Sequence, residues 1–248
     1  LYFPFLSAAC ILHLGMQFFK NIFADALHLF YPHGCSGCGS DVLENGNLLC
    51  LRCLHDLPHT RFAQHANNPV EKYFWGRLPL QAAHSEFYFA KESLLQHLIH
   101  RLKYKGDQEL GMYLGEMMAN SLVNAHRFGN IDGLIPLPMF PAKERKRGYN
   151  QATVICNGMS PVMNLPVIHN NVIRRHATET QTRKHRTERW DNAAGSFMIN
   201  KPEQLIGKHW LLVDDVITTG ATLEACGQMM AQLPGIKLSI ATLALAGK

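Results

Sequence analysis

The 248-residue sequence predicts an α/β protein: a parallel sheet flanked by helices, preceded by a small metal-held module. Three observations predict it. Residues 209–224 read HWLLVDDVITTGATLE, an apolar run short enough for a buried strand, then two acids, a small hydroxylated loop and an amphipathic run to Leu233. Other short apolar runs occur at 131–136, 172–175, 197–199 and 236–244, and segments with helical spacing stand before the first of them, after it and before the last. Near the N-terminus stand two C-x-x-C pairs, Cys35/Cys38 and Cys50/Cys53. A hydrophobic content of 47% against 17% charged residues describes a chain that can bury a core.

The chain divides into four stretches. Residues 1–22 are an N-terminal extension and helix. The apolar run from Leu1 to Phe19 has no Lys or Arg ahead of it, so it is a poor secretory signal. Met16 precedes a more ordinary amphipathic stretch, and translation is expected to start there; a membrane anchor is the alternative. Residues 23–60 hold the cysteine pairs. Four thiolates at this spacing suit tetrahedral Zn²⁺, Asn45-Gly46 suits a hairpin between them, and a redox C-x-x-C is the competing reading. Residues 61–79 read as a linker ending in an aromatic docking segment, Tyr73-Phe74-Trp75. The main domain is expected over 80–248.

Within that domain Phe87-Tyr88-Phe89 reads as a strand. Leu94, Leu95, Leu98, Ile99 and Leu102 have helix spacing, with Gly106 as the stop and Asp107 as N-cap of a second helix to about Arg127. Ile131–Pro136 is the expected first core strand, Lys143–Arg147 a basic loop, and Gly148–Ile155 the opening of a helix. Val172–Arg175 and Phe197–Ile199 are short strands around a polar, Arg- and Thr-rich stretch, 176–191, too poor in apolar residues to pack and expected to be a mobile lid or an exposed loop. Ile236–Ala244 is the last strand.

The chemistry concentrates after Val213. Where a strand feeds a helix, unpaired amides at the helix N-terminus attract an anion. Gly220 lets the backbone turn, and Thr218, Thr219 and Thr222 offer hydroxyls. Asp214 and Asp215 repel phosphate but suit sugar hydroxyls or a magnesium-bound polyphosphate. The loop therefore fits a sugar phosphate. The net charge of +5 is focused: 143–147 carries +3 and 174–189 carries +4, leaving −2 elsewhere. Such focusing suits a polyanionic ligand, or a nucleic-acid surface.

The double C-x-x-C, LKYKGD at 102–107, RGYNQA at 147–152, Thr180-Gln181 with Arg189–Asn192, and VDDVITTGATL at 213–223 occur in that order. Together they resemble the ComF/GntX family, competence-associated proteins with a zinc ribbon on a type I phosphoribosyltransferase-like domain. The resemblance implies a cytoplasmic protein that binds phosphoribosyl pyrophosphate (PRPP). Asp214 and Asp215 would act on the ribose hydroxyls and serve catalysis. Thr218, Thr219, Gly220, Ala221 and Thr222 would wrap the 5′-phosphate. Arg145, Arg147, Arg175, Lys184, Arg186 and Arg189 would contact pyrophosphate or fold over it, with Mg²⁺ accompanying the ligand. Cys35, Cys38, Cys50 and Cys53 would hold structural Zn. Two functions follow as expectations: a Mg²⁺-dependent phosphoribosyltransferase acting on an unidentified nitrogen acceptor, or a binding module for single-stranded DNA or a DNA-uptake partner.

Overall fold

A computed structural model describes residues 34–41, 43, 47–174 and 196–247. It divides into two compact units, Leu1–His55 and Asp56–Lys248. The expected N-terminal helix, the start at Met16 and the Asn45-Gly46 turn lie outside the described residues. No helix among the described residues is long and apolar enough to cross a membrane.

In the first unit the chain doubles back on itself through backbone bonds, Cys35 N to Ser40 O at 2.7 Å and Ser36 N to Leu48 O at 2.8 Å. Among the described residues, Cys35, Ser36, Leu49 and Cys53 form its buried set. Cys53 sits on a single-turn helix, α1 (Leu51–His55).

The second unit is built on a sheet of four strands. In chain order these are β1 (Ala82–Phe89), β2 (Gly133–Pro136), β5 (His209–Ile217) and β6 (Lys237–Ala246). Their spatial order is β1-β6-β5-β2, and every neighbouring pair is parallel. A separate antiparallel pair is formed by β3 (Val172–Arg174) and β4 (Phe197–Ile199). Both β5 and β6 are buried along most of their length, and each holds an unalternating apolar run, Trp210–Val213 and Leu243–Ala246, as covered parallel strands do. Helices α3 (Leu94–Tyr104), α4 (Gln108–Val123), α6 (Gln151–Met163) and α7 (Ala221–Met230) flank the sheet. The side chain of Asp107 caps α4 as its position predicts, accepting from Leu110 N at 3.1 Å. Helices α4 and α6 touch backbone to backbone at Gly115 and Gly158. A Cβ on Gly158 would stand 2.0 Å from Met112 O, and one on Gly115 would stand 2.3 Å from Ile155 O.

Four sequence expectations are corrected. The strand expected at Phe87 begins at Ala82, because AAHSE is polar in part and yet buried. Residues 61–79 are not a free linker: Phe62, Val70, Phe74 and Leu78 enter the core with Trp210 and Leu212. Asn68 caps the short helix α2 (Pro69–Lys72) and ties it to Ala83 O at 2.8 Å. The basic loop is a helix, α5 (Pro141–Arg147), with Pro141 in its first turn and its last three bases facing the helix dipole's negative end. Strand β5 runs on to Ile217, since β6 continues to pair with it, so the two acids lie inside the strand and not beyond it.

The polar middle of β1 forms a buried network. Glu86 accepts from Ser121 Oγ at 3.0 Å and meets His59 Nδ1 at 2.8 Å and His84 Nε2 at 2.9 Å. Burial pushes the Glu86 carboxyl up, but the hydrogen bonds from His59, His84 and Ser121 outweigh it and hold it near 2. A carboxylate with a depressed folded value stabilises the fold above its ordinary value, 4.5, and that stability is lost as pH falls towards 2. Replacing Glu86 by Gln is expected to cost about 3 kcal/mol at pH 7 and almost nothing at pH 2. Denaturant unfolding of the two proteins across that range measures it; equal midpoints at pH 7 would refute the assignment.

Candidate functional site

Two groups of side chains assembled by the fold have chemical potential, one in each unit.

In the first unit the Sγ atoms of Cys35, Cys38, Cys50 and Cys53 all lie within 4.8 Å of one another. The Cys38–Cys50 separation is 3.7 Å. A tetrahedron with Zn–S bonds of about 2.3 Å has S–S edges of about 3.8 Å, so the donors fit zinc. The amides of Gly37 and Cys50 point at Cys35 Sγ, at 3.4 and 3.2 Å. Burial pushes the Cys35 thiol up, but the bonds from Cys50, Cys38, Gly37 and Cys53 bring it down to about 6. Burial and its three sulfur neighbours push Cys53 up. Sulfur that receives amide hydrogens is prepared to be a thiolate ligand.

In the second unit the site forms at the C-terminal end of β5, where ligands of open α/β sheets collect. Residues Thr218–Leu223, with Asp214, Val216 and Ile217, line a cavity of about 40 Å³. Gly220 takes φ of 74° as the residue before α7, and a Cβ there would stand 3.2 Å from the Phe74 ring. The N-cap residue of α7, Gly220, has no side chain to offer its amides. Thr219 Oγ1 accepts from Ala221 N at a long 3.4 Å, and Thr218 and Thr219 are exposed. The first-turn amides thus face a small, open, hydroxyl-lined bend, which suits a phosphate.

The two acids differ. Consecutive strand residues face opposite sides, and only Asp214 lines the cavity. Asp214 is partly buried and its Oδ1 accepts from Asp215 N at 2.8 Å. Burial, then the charge of Asp215, push Asp214 up to about 8, against the pull of that amide, Lys103 and Arg174. Asp215 is buried and its Oδ2 pairs with Lys103 Nζ at 2.8 Å. Arg174, at the end of β3, lies over the Phe140 ring at 3.9 Å, and its Nε is buried with no hydrogen-bond partner among the described residues. Burial lowers the Arg174 guanidinium, while Asp214 and then Cys226 raise it.

The basic residues follow a consistent route. Pro136 is the register partner of Val213, and Leu137 N donates to Val213 O at 2.8 Å, so the chain entering α5 leaves the sheet beside Asp214. Arg145 is exposed on α5; Arg147 bonds Gln151 and lies 5.5 Å from the Tyr104 ring. A cavity of about 250 Å³ opens between residues 136–144 and the segment ending at Arg174. Of the expected residues, the structure brings Asp214 to Thr218, Thr219, Gly220, Ala221 and Thr222, whereas Asp215 turns to Lys103. Arg175, Lys184, Arg186 and Arg189 lie outside the described residues. Lys103 and Arg174 are the cations that sequence reasoning did not assign to the acids.

The sequence matches no family model. It is 28% identical over 199 residues to the DNA utilization protein YhgH of Escherichia coli, covering 79% of this chain and 83% of that one. It is 26% identical over 212 residues to competence protein F of Haemophilus influenzae, covering 84% and 88%. It is 24% identical over 144 residues to the competence protein ComFC of Bacillus subtilis, covering 58% and 56%.

Proposed function

The chain belongs to the ComF family, and from that premise we propose that it is a PRPP-binding protein of DNA uptake or utilization, with Mg²⁺-dependent phosphoribosyl transfer as its reaction. One observation carries the PRPP reading: a helix N-terminus with glycine at its N-cap, a glycine-turned hydroxyl loop and a partly buried acid meet at one small cavity at the end of β5. The 5′-phosphate takes the amides and hydroxyls of residues 218–222. The ribose hydroxyls reach Asp214. The chain around Arg145 and Arg147 leaves the sheet on the same side, where a diphosphate is held by guanidinium forks.

Breaking the bond between the anomeric carbon and pyrophosphate builds positive charge on the ribose and negative charge on the leaving group. The acid steadies the former, and the guanidinium groups near Arg145 and Arg147 would meet the latter, where Mg²⁺ carried with the diphosphate would supply further positive charge. A nitrogen nucleophile then attacks the anomeric carbon. Titration calorimetry with PRPP, with and without Mg²⁺, tests binding. Release of pyrophosphate in the presence of candidate nitrogen acceptors tests turnover. Saturable, Mg²⁺-enhanced binding is expected; no heat at millimolar PRPP would end this reading.

A second reading, a contact with single-stranded DNA, is favoured by a surface feature. Tyr104 is 66% exposed and stacks with His100 at 4.7 Å, with Arg147 over it and Lys105 beside it. Exposed aromatic rings among bases suit unpaired nucleotides. Single-stranded DNA is expected to bind with an affinity that falls steeply with salt. Tyr104→Ala is expected to weaken it by about 1–3 kcal/mol, read by fluorescence anisotropy. A flat salt response, or a Tyr104→Ala protein that binds as tightly, would remove the surface from consideration.

A further inference from the structure

We propose that Lys103 is a positioning residue of the acid pair: it holds Asp215 away from the ligand as a fixed counter-charge, so that Asp214 alone meets the ribose. This rests on the PRPP reading above and gives the two acids unlike roles.

The geometry is built for it. Lys103 lies in the last turn of α3, and its Nζ reaches Asp215 Oδ2 at 2.8 Å. Both side chains are largely shielded, at 23% and 13% exposure, so the pair is not a solvated surface contact. The turn that carries Lys103 is pinned from several sides. Leu102 is fully buried. The Leu102 carbonyl accepts the Tyr149 hydroxyl. Arg101 donates Nε to Asp107 Oδ2 at 2.9 Å. Arg147 lies over Tyr104. A lysine with long rotamer freedom is thus delivered to one place by a rigid helix end. On the other side, Asp214 lines the cavity of the hydroxyl loop and Asp215 does not.

The charge balance explains why the pair needs Lys103. A ligand with a phosphate and a diphosphate must approach two adjacent carboxylates, and like charges oppose it. Lys103 neutralises one of them by direct contact, and Arg174 bears on the other through its field. The site then presents one hydrogen-bond acceptor to the sugar without presenting two negative charges to the phosphates. The titratable and charged groups that bear on Asp214 are Asp215, Lys103 and Arg174, with the buried Cys226 thiol of α7 also within its field. Removing Lys103 takes away one of the charges that lower Asp214 and raises it further, so the pH dependence of binding moves to higher pH.

The experiment is PRPP titration with Mg²⁺ between pH 6 and 9, on the full chain and on Lys103→Met, Lys103→Arg and Asp215→Asn. Lys103→Met is expected to weaken PRPP binding about ten-fold at pH 7 and to shift its pH profile upward. Lys103→Arg is expected to recover most of the affinity and the original profile, since the guanidinium can still pair with Asp215. Asp215→Asn is expected to lose less affinity than Asp214→Asn. Lys103→Met binding with wild-type affinity and an unshifted profile would overturn the proposal. If Lys103→Met fails to fold, the comparison of Asp215→Asn with Asp214→Asn, titrated alongside, decides: an Asp215→Asn loss as large as that of Asp214→Asn would overturn the unlike roles. Absence of binding by the wild-type chain strikes the PRPP reading itself and is recognised as such before any variant is compared.

Discussion

Asp214→Asn is expected to make the protein more stable at pH 8 while removing most of its affinity for PRPP. The two effects have one cause. Burial and the neighbouring Asp215 push the Asp214 carboxyl from its ordinary 3.8 up to about 8. Between those values the unfolded chain has lost the proton and the folded chain keeps it. Folding therefore takes up a proton there, and stability falls as pH rises from about 4 towards 8. Asparagine does not titrate, so the difference between the proteins is absent at pH 4 and largest at pH 8 and above. Because Asp214 is only partly buried, the gain is on the order of 1 kcal/mol after solvent screening. Above pH 8, where Asp214 is ionised, loss of a charge-assisted acceptor for the ribose hydroxyls costs about 1.5–3 kcal/mol, roughly 10- to 100-fold in affinity. Thermal unfolding at both pH values and PRPP calorimetry together make the test. A variant that melts lower at pH 8 and binds PRPP normally would show that Asp214 is a structural acid. Gly220→Ala supplies an independent check on the same cavity. A side chain at φ of 74°, pressed against Phe74, must tilt the bend and misplace the amides beyond it.

Much of this site was legible because its parts are local. A strand, two acids, a hydroxylated bend and a helix occupy sixteen consecutive residues, and backbone direction alone brings Asp214 to Thr218–Thr222. The cysteine spacing was legible for the same reason, since each C-x-x-C is a single turn. Lys103 and Arg174 were not, because they arrive from α3 and β3, far apart in the chain, and only the packing of those elements reveals which acid each one serves. Lys103 stands in the last turn of α3, where complementing the helix dipole is a sufficient local reason for a lysine, so nothing local points to its tertiary partner. The start of β1 was missed because a buried His-Ser-Glu run imitates a loop until His59 and Ser121 are seen to satisfy it. Basic residues 143–147 read as a loop because no apolar period marks them; the helix there has no buried residue and rests on Pro141, dipole and cap. Periodicity detects helices that pack, and α5 barely does.

Stripping the metal from the first unit is expected to unfold it and to leave the second unit's core intact. The buried set of the first unit among the described residues is Cys35, Ser36, Leu49 and Cys53, two of them members of the four-cysteine cluster. A core of this size cannot offset the backbone entropy of some twenty ordered residues at about 1–2 kcal/mol each. Structural zinc supplies about 10–16 kcal/mol in comparable small modules. The second unit has its own core, drawn from Phe62 onwards and centred on Trp210, Phe74 and the strands beside them. The tryptophans, Trp75, Trp190 and Trp210, all lie in that unit, so indole fluorescence reports on it and is silent about the cysteines. Addition of a strong chelator should therefore release one zinc per chain, seen with a colorimetric indicator, and collapse the amide NMR signals of residues 34–55. The tryptophan unfolding curve should not move. Cys50→Ser should reproduce the effect without chelator, because three thiolates leave the tetrahedron open. Retention of the 34–55 signals after metal removal would mean that the four sulfurs are not what holds the first unit, and the zinc assignment would fall with it.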